Sequence, residues 1–270
     1  DQRVKTMRLY QEMAAQHWRD DVIVLPENAI PAYAHSIKQS YLEPLGQQAL
    51  ATDTAMLIGI PILDLQSEQY YNGMVVIGAG SGEYRKHHLV PFGEYIPLQS
   101  IIGNLLSIMQ IPMSEFSAGE TRQALLKVKE YDVGVTICYE DAFPEELIAH
   151  LPQAHFLVNA SNNAWYGDSL APHQHLQIAQ MRAIETARYI VRATTNGISA
   201  IIDHRGHIQT RTPQFAQAAI TGTIQARTGS TPYVMFGNYL ILLVILLSVL
   251  IAHWESLRKA LLPALFRRDI

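Results

Sequence analysis

The sequence predicts an α/β fold in which two mixed sheets pack together with helices outside, followed by one membrane-spanning helix. Three observations carry that prediction. Short β-branched runs first alternate with stretches of helical periodicity and then come in antiparallel pairs, with no repeat along the 270 residues. Hydrophobic residues make up 49% of the chain and charged residues only 16%, below the roughly 25% of an ordinary soluble domain. Residues 234–254, VMFGNYLILLVILLSVLIAHW, contain no Asp, Glu, Lys or Arg.

Taken in order, residues 2–18 set Val4, Met7, Tyr10, Ala14 and Trp18 at helical spacing. DVIV then reads as a strand stopped at Pro26, residues 40–54 as a helix and AMLIGIPIL as a strand. YYNGMVVIG and GSGEYRKHHLV read as a strand pair around the glycine-rich turn at 78–82. LLKVKEYDVGVTICYE supplies two strands, EELIAHL a short helix, AHFLVNAS a buried strand and HQHLQIAQMRAIETARYI a long helix. VRATT and AIID follow as strands with a hairpin at Arg205-Gly206, and AAITGTIQA is expected as the last strand. The catalytic domain is expected over 1–230, the span over 234–254 and a basic tail over 255–270.

Twenty-one uncharged residues at 1.5 Å rise match a hydrocarbon core of roughly 30 Å, so 234–254 is expected to span a bilayer, with a buried helix as the alternative. Arg258, Lys259, Arg267 and Arg268 outnumber Glu255 and Asp269, which would hold the tail on the cytoplasmic side and set the domain on the opposite face. Residues 98–113, LQSIIGNLLSIMQIPM, are also uncharged but too short to span. They read as a core helix or, by preference, as an apolar arm around Leu105 and Leu106 offered to a membrane surface. With no starting methionine and no cleavage site at its front, the chain reads as a processed product or the latter part of something longer.

A net charge of −4 argues against a nucleic-acid partner. One cysteine excludes an internal disulfide framework, and the HQH at 173–175 is too weak a ligand set for a metal; no cofactor is expected. Three other groups stand at or just past strand ends, where open sheets place their crevices: Glu27 after VIVLP, Lys86 in EYRKHHLV and Cys138 closing VGVTI. Singly they read as a helix cap, a solvated charge and core filling. Together they form a base, a cation and a nucleophile. A thiol needs a base to attack a carbonyl, and the resulting oxyanion needs fixed donors, for which Lys86 and the backbone N–H just past Cys138 are suited.

LPEN at 25–28, KHHLVPFGEYIP at 86–97, ICYEDAFPE at 137–145 and NASNNAWYGD at 159–168 resemble the Glu-Lys-Cys signatures of the nitrilase, or carbon-nitrogen hydrolase, superfamily. More narrowly, LVPFGEYIP, CYEDAFPE and SNNAWYGD are similar to segments of the apolipoprotein N-acyltransferase family. The resemblance implies a nitrilase-like αββα sandwich facing the periplasm of a bacterial inner membrane, preceded in that family by a bundle of membrane helices. It implies Glu27 as general base, Lys86 as oxyanion stabiliser and Cys138 as nucleophile. Glu94 would lie near that triad, Tyr139 and Glu140 would shape the cysteine loop, and Trp165 would sit in a loop governing substrate access. The implied reaction takes an acyl chain from a phospholipid, preferably phosphatidylethanolamine, onto cysteine as a thioester. It then passes to the N-terminal amine of a diacylglyceryl-modified apolipoprotein. A membrane-tethered amidase or nitrilase, which hands its acyl group to water, is the alternative.

Overall fold

The computed structural model describes residues 2–95 and 116–265. Two sheets form the centre. The smaller, in the order β1-β2-β3-β5, takes β1 (Val22–Val24), β2 (Ala55–Asp64), β3 (Gln69–Gly78) and β5 (Glu83–Arg85). The larger runs β11-β10-β9-β8-β7-β6-β4. Its members are β4 (Gly80–Ser81), β6 (Leu126–Val128), β7 (Tyr131–Ile137), β8 (Phe156–Asn162), β9 (Ile190–Thr195), β10 (Ala200–Ile202) and β11 (Ile208–Arg211). β7, β8 and β9 are parallel, as are β1 and β2, so their carboxyl ends point the same way within each sheet.

Period-two alternation decides what each face meets. Ala55 and Leu57 of β2 pack inward with Met74, Val76 and Tyr84 against Val133, Val135, Ile137, Phe156 and Val158 of the larger sheet. Met56, Ile58 and Ile60, one residue out of phase, face outward beneath α1 (Gln2–Ala14) and α2 (Glu43–Ala51). On the far side, Leu157, Ile190, Ala200 and Ile202 are covered by α3 (Pro144–Ile148) and α4 (Ala171–Thr186). The layers are therefore helix, sheet, sheet, helix. The Gly78–Gly82 turn does more than join two strands: β3 and β5 pair in the smaller sheet, while β4 between them pairs with β6 in the larger.

Several expectations shift. The long helix stops at Thr186 rather than Ile190, because Ala187 takes a left-handed φ of +51° and the chain turns directly into β9. AAITGTIQA forms no strand: 218–226 runs mostly exposed, without a ladder partner among the described residues. The apolar arm 98–113, with Leu105 and Leu106, lies outside the described residues.

The expected membrane-spanning helix over 234–254 does not form. Pro232–Phe236 makes a five-residue helix, α5, after which Gly237 adopts φ +52°. A new helix, α6, begins only at Tyr239 and runs to Leu265. Among the described residues no helix is long and apolar enough to cross a membrane. The glycine break is the physical reason, because it removes the front of the run. The charge-free part of α6 left over, Tyr239 to Trp254, rises about 24 Å against a hydrocarbon core of about 30 Å. The cytoplasmic placement expected for 255–270 rested on that span and loses its basis.

Candidate active site

Glu27 leaves β1 on a turn that passes directly over β2. A Cβ at Gly59 would stand 2.1 Å from the Pro26 carbonyl and 2.8 Å from the Glu27 Cα, so only glycine lets the turn approach this closely. The Glu27 carboxylate is buried and held from both sides. Oε2 accepts from the backbone N–H of Asn162 at 2.6 Å, and Oε1 accepts from Asn72 Nδ2 at 2.6 Å.

Lys86 follows β5 and is fully buried. Its Nζ lies 3.6 Å from Glu27 Oε1 and 2.8 Å from Glu94 Oε2. Glu94 comes back from a turn whose Val90 N–H donates to its Oε2 at 2.8 Å. Burial works against the Lys86 ammonium, but Glu27, Cys138 and Glu94 outweigh it and hold the amine above the ordinary lysine range. It is a permanent cation wedged between two carboxylates.

Cys138 ends β7 at the first position of a 3-10 turn, Cys138–Ala142, and takes φ +55°. A side chain seldom adopts that backbone, which here lifts the sulfur off the sheet end at a sharp corner. Burial first and the Glu27 charge second push the thiol up to about 12, against the pull of Lys86 and of the Ser161 hydroxyl. The same charges act on Tyr166, which is raised by burial and by Cys138 and Glu27. Glu27, Lys86, Glu94 and Cys138, spread over 111 positions from Glu27 to Cys138, thus act on one another as one buried cluster that draws on both sheets.

Glu140 lies beside this group. Its carboxylate accepts from the N–H of Ile137 at 2.6 Å, His87 at 2.7 Å and His88 at 3.0 Å, and from the Tyr84 hydroxyl. It therefore binds the cysteine corner to the segment that carries Lys86. Burial raises its pKa to about 7 against those backbone donors. Tyr139, half-buried, sets its ring edge-on to His88 and Phe143. Trp165 sits in the 3-10 turn Asn163–Tyr166 and is 81% exposed, with Tyr166 of the same turn at 39%.

Sequence reasoning missed Asn72. It donates to Glu27 and, at 2.9 Å, to Glu94 Oε1, which makes it a bridge between the two carboxylates. An amide inside the apolar strand YYNGMVVIG was the available signal. It also missed a buried set behind the cysteine, formed by Asp141, Asn159, His175 and Arg192. No cluster of His, Cys, Asp and Glu suited to a metal occurs among the described residues.

Such a pocket can deprotonate a thiol as it attacks, hold an oxyanion and return the proton to a leaving group. Comparisons with known proteins agree with the fold. The C. elegans NitFhit protein aligns with a TM-score of 0.58 at 19% identity, over 78% of this chain and 54% of that one. Saccharomyces cerevisiae Nit3, a member of branch 10 of the nitrilase superfamily, gives 0.58 at 18% identity, over 78% and 81%. In sequence, the chain is 44% identical over 234 residues to an apolipoprotein N-acyltransferase of Methylococcus capsulatus, covering 87% of this chain and 46% of that protein. It is 44% identical over 260 residues to one of Nitrosomonas europaea, covering 95% and 52%. The chain spans about half the length of these relatives. Residues 2–233 match the sequence profile described as Carbon-nitrogen hydrolase, and with the layers and the pocket already in place, the chain belongs to the carbon-nitrogen hydrolase family.

Proposed function

We propose that the protein carrying this chain transfers an acyl chain from a phospholipid, through a thioester on Cys138, to the N-terminal amine of a diacylglyceryl-modified apolipoprotein. The observation that supports this most is the buried Glu27–Lys86–Cys138 pocket in a chain 44% identical to apolipoprotein N-acyltransferases. Phosphatidylethanolamine is the donor the reading favours. The work would be done at the periplasmic face of a bacterial inner membrane, where both lipid substrates lie.

In the first half-reaction Glu27 takes the Cys138 proton as the sulfur attacks the ester carbonyl. With the thiol near 12, no standing thiolate exists at neutral pH, so removal of the proton and attack go together. Lys86 Nζ and the Tyr139 N–H face the developing oxyanion. Collapse breaks the ester C–O bond, and Glu27 gives its proton to the departing lysophospholipid oxygen. In the second half-reaction the amine attacks the thioester, Glu27 accepts the amine proton and passes it to the departing sulfur as the S–C bond breaks, which restores the thiol and the carboxylate. Glu94 and Asn72 hold Glu27 and Lys86 apart at a fixed spacing, so that the cation does not simply neutralise the base. Trp165 and Tyr166, on the exposed turn after β8, would govern substrate access, and the arm around Leu105 and Leu106 would receive lipid chains.

The test is mass spectrometry of the intact protein after incubation with phosphatidylethanolamine vesicles and no acceptor. One acyl chain on Cys138, discharged by a diacylglyceryl-cysteine peptide to an amide, is the expected result. Discharge to water alone would favour a hydrolase. Transfer that persists in Cys138→Ala would overturn the mechanism.

A further inference from the structure

We propose that His175 is a positioning residue for the reaction: it fixes the Cys138–Tyr139 peptide so that the Tyr139 N–H is presented as an oxyanion donor alongside Lys86. The inference rests on the thioester reading above. It starts from a closed circuit of buried groups behind the cysteine corner. His175 Nε2 lies 3.1 Å from the Cys138 carbonyl oxygen and 3.0 Å from Asp141 Oδ1. Asn159 Nδ2 donates to the same carbonyl at 3.1 Å. Arg192 Nη1 closes the circuit, donating to Asn159 Oδ1 and lying 3.4 Å from Asp141 Oδ2. Four separate elements meet here: the cysteine turn, β8, α4 and β9.

The chemistry fixes the direction of each bond. Nε2 faces two oxygens that can only accept, so it must carry the hydrogen. Nδ1 lies 3.3 Å from the Asn163 amide nitrogen, a donor, so it offers a lone pair. Asp141 orients the ring, and the ring with Asn159 clamps one carbonyl from two sides. A trans peptide carries its C=O and N–H on opposite sides. Pinning the Cys138 oxygen against His175 and Asn159 therefore turns the Tyr139 N–H away from that circuit. The clamp also fixes the peptide that follows Cys138, a residue whose φ of +55° is one that side chains seldom adopt.

The experiment compares two reactions of the same sulfur in the intact protein. Acylation by p-nitrophenyl acetate passes through an oxyanion, whereas alkylation by iodoacetamide does not. His175→Leu should lower the acylation rate at saturating ester by about 100-fold, with the ester concentration for half-saturation and the alkylation rate unchanged. His175→Gln, which keeps a reaching N–H donor, should recover most of the loss. If the leucine variant does not fold, His175→Asn, polar but too short to reach, carries the same expectation. Alkylation falling in step with acylation would mean the corner had collapsed and the role is only structural, which overturns the proposal. Unchanged acylation, or a wild-type protein that the ester never acylates, overturns it as well. A wild type acylated by the ester but not by phospholipid would sink the lipid reading and leave this one standing.

Discussion

Replacing Asn72 by leucine, a side chain of similar shape, removes the amide that sits between Glu27 and Glu94. Two hydrogen bonds to charged oxygens, at 2.6 and 2.9 Å, are lost, and bonds of that kind are worth about 1.5 to 3 kcal/mol each. Asn72 Oδ1 has no hydrogen-bond partner among the described residues, so its removal relieves a cost of about 1 kcal/mol. The net loss is then about 2 to 5 kcal/mol, a large part of a stability that rarely exceeds about 15 kcal/mol. With a urea slope near 3 kcal/mol/M, the unfolding midpoint should fall by about 1 M with the slope unchanged. Chemistry should suffer further. Without the amide, Glu27 can close the 3.6 Å gap to Lys86 and turn from the thiol, and a displacement of that size costs on the order of 100-fold in rate. The assay pairs urea denaturation with the rate of Cys138 acylation, measured below the midpoint where the variant is folded. A midpoint within about 0.3 M of wild type together with an unchanged acylation rate would show that the two carboxylates do not depend on Asn72, and the account of the pocket would be wrong.

Alkylation of Cys138 by iodoacetamide should rise about tenfold per pH unit from 7 to 10 without a plateau, since a thiol pushed up to about 12 keeps its proton throughout that range. Glu27→Gln removes a charge that raises the thiol, so at fixed pH alkylation should quicken while acyl transfer collapses, a divergence that a purely structural Glu27 would not give. Glu140→Gln keeps one oxygen for the His87 and His88 N–H groups but turns its NH2 toward the Ile137 N–H, leaving that buried donor unpaired; it should cost about 1 to 3 kcal/mol, read as a lowered melting temperature. Gly59→Ala drives a methyl group to 2.1 Å from the Pro26 carbonyl; it should destabilise by about 1 to 3 kcal/mol and slow acylation by moving Glu27.

Much of this was legible in the sequence. The strand runs are bounded by glycine, proline and asparagine, which mark AMLIGIPIL as a strand, but it is apolar on both faces, and only the packed sheets show that Leu57 faces one core and Met56 the other. Glu27, Lys86 and Cys138 stood out because each is a reactive group at the end of an apolar strand. What stayed hidden depends on contacts across the sheets. Asn72 bridges partners 45 and 22 positions away, and His175 reaches a carbonyl 37 positions back; no local pattern encodes either. The C-terminal run misled for the opposite reason. Composition alone cannot see that Gly237 adopts φ +52° and divides 234–254 into a short turn of helix and a later one.

The path of the chain through Gly78–Gly82 bears on when the protein becomes reactive. Glu27 and Lys86 belong to the smaller sheet and Cys138 to the larger, and β4 stitches one to the other between β3 and β5. Either sheet folded alone holds a thiol without a base, or a base and cation without a thiol. On the proposed mechanism, competence toward esters would arrive only when the two sheets dock. If the proposed mechanism holds, a nascent or damaged chain with the sheets parted has no base or cation beside its thiol and should stay unacylated until the sandwich has closed.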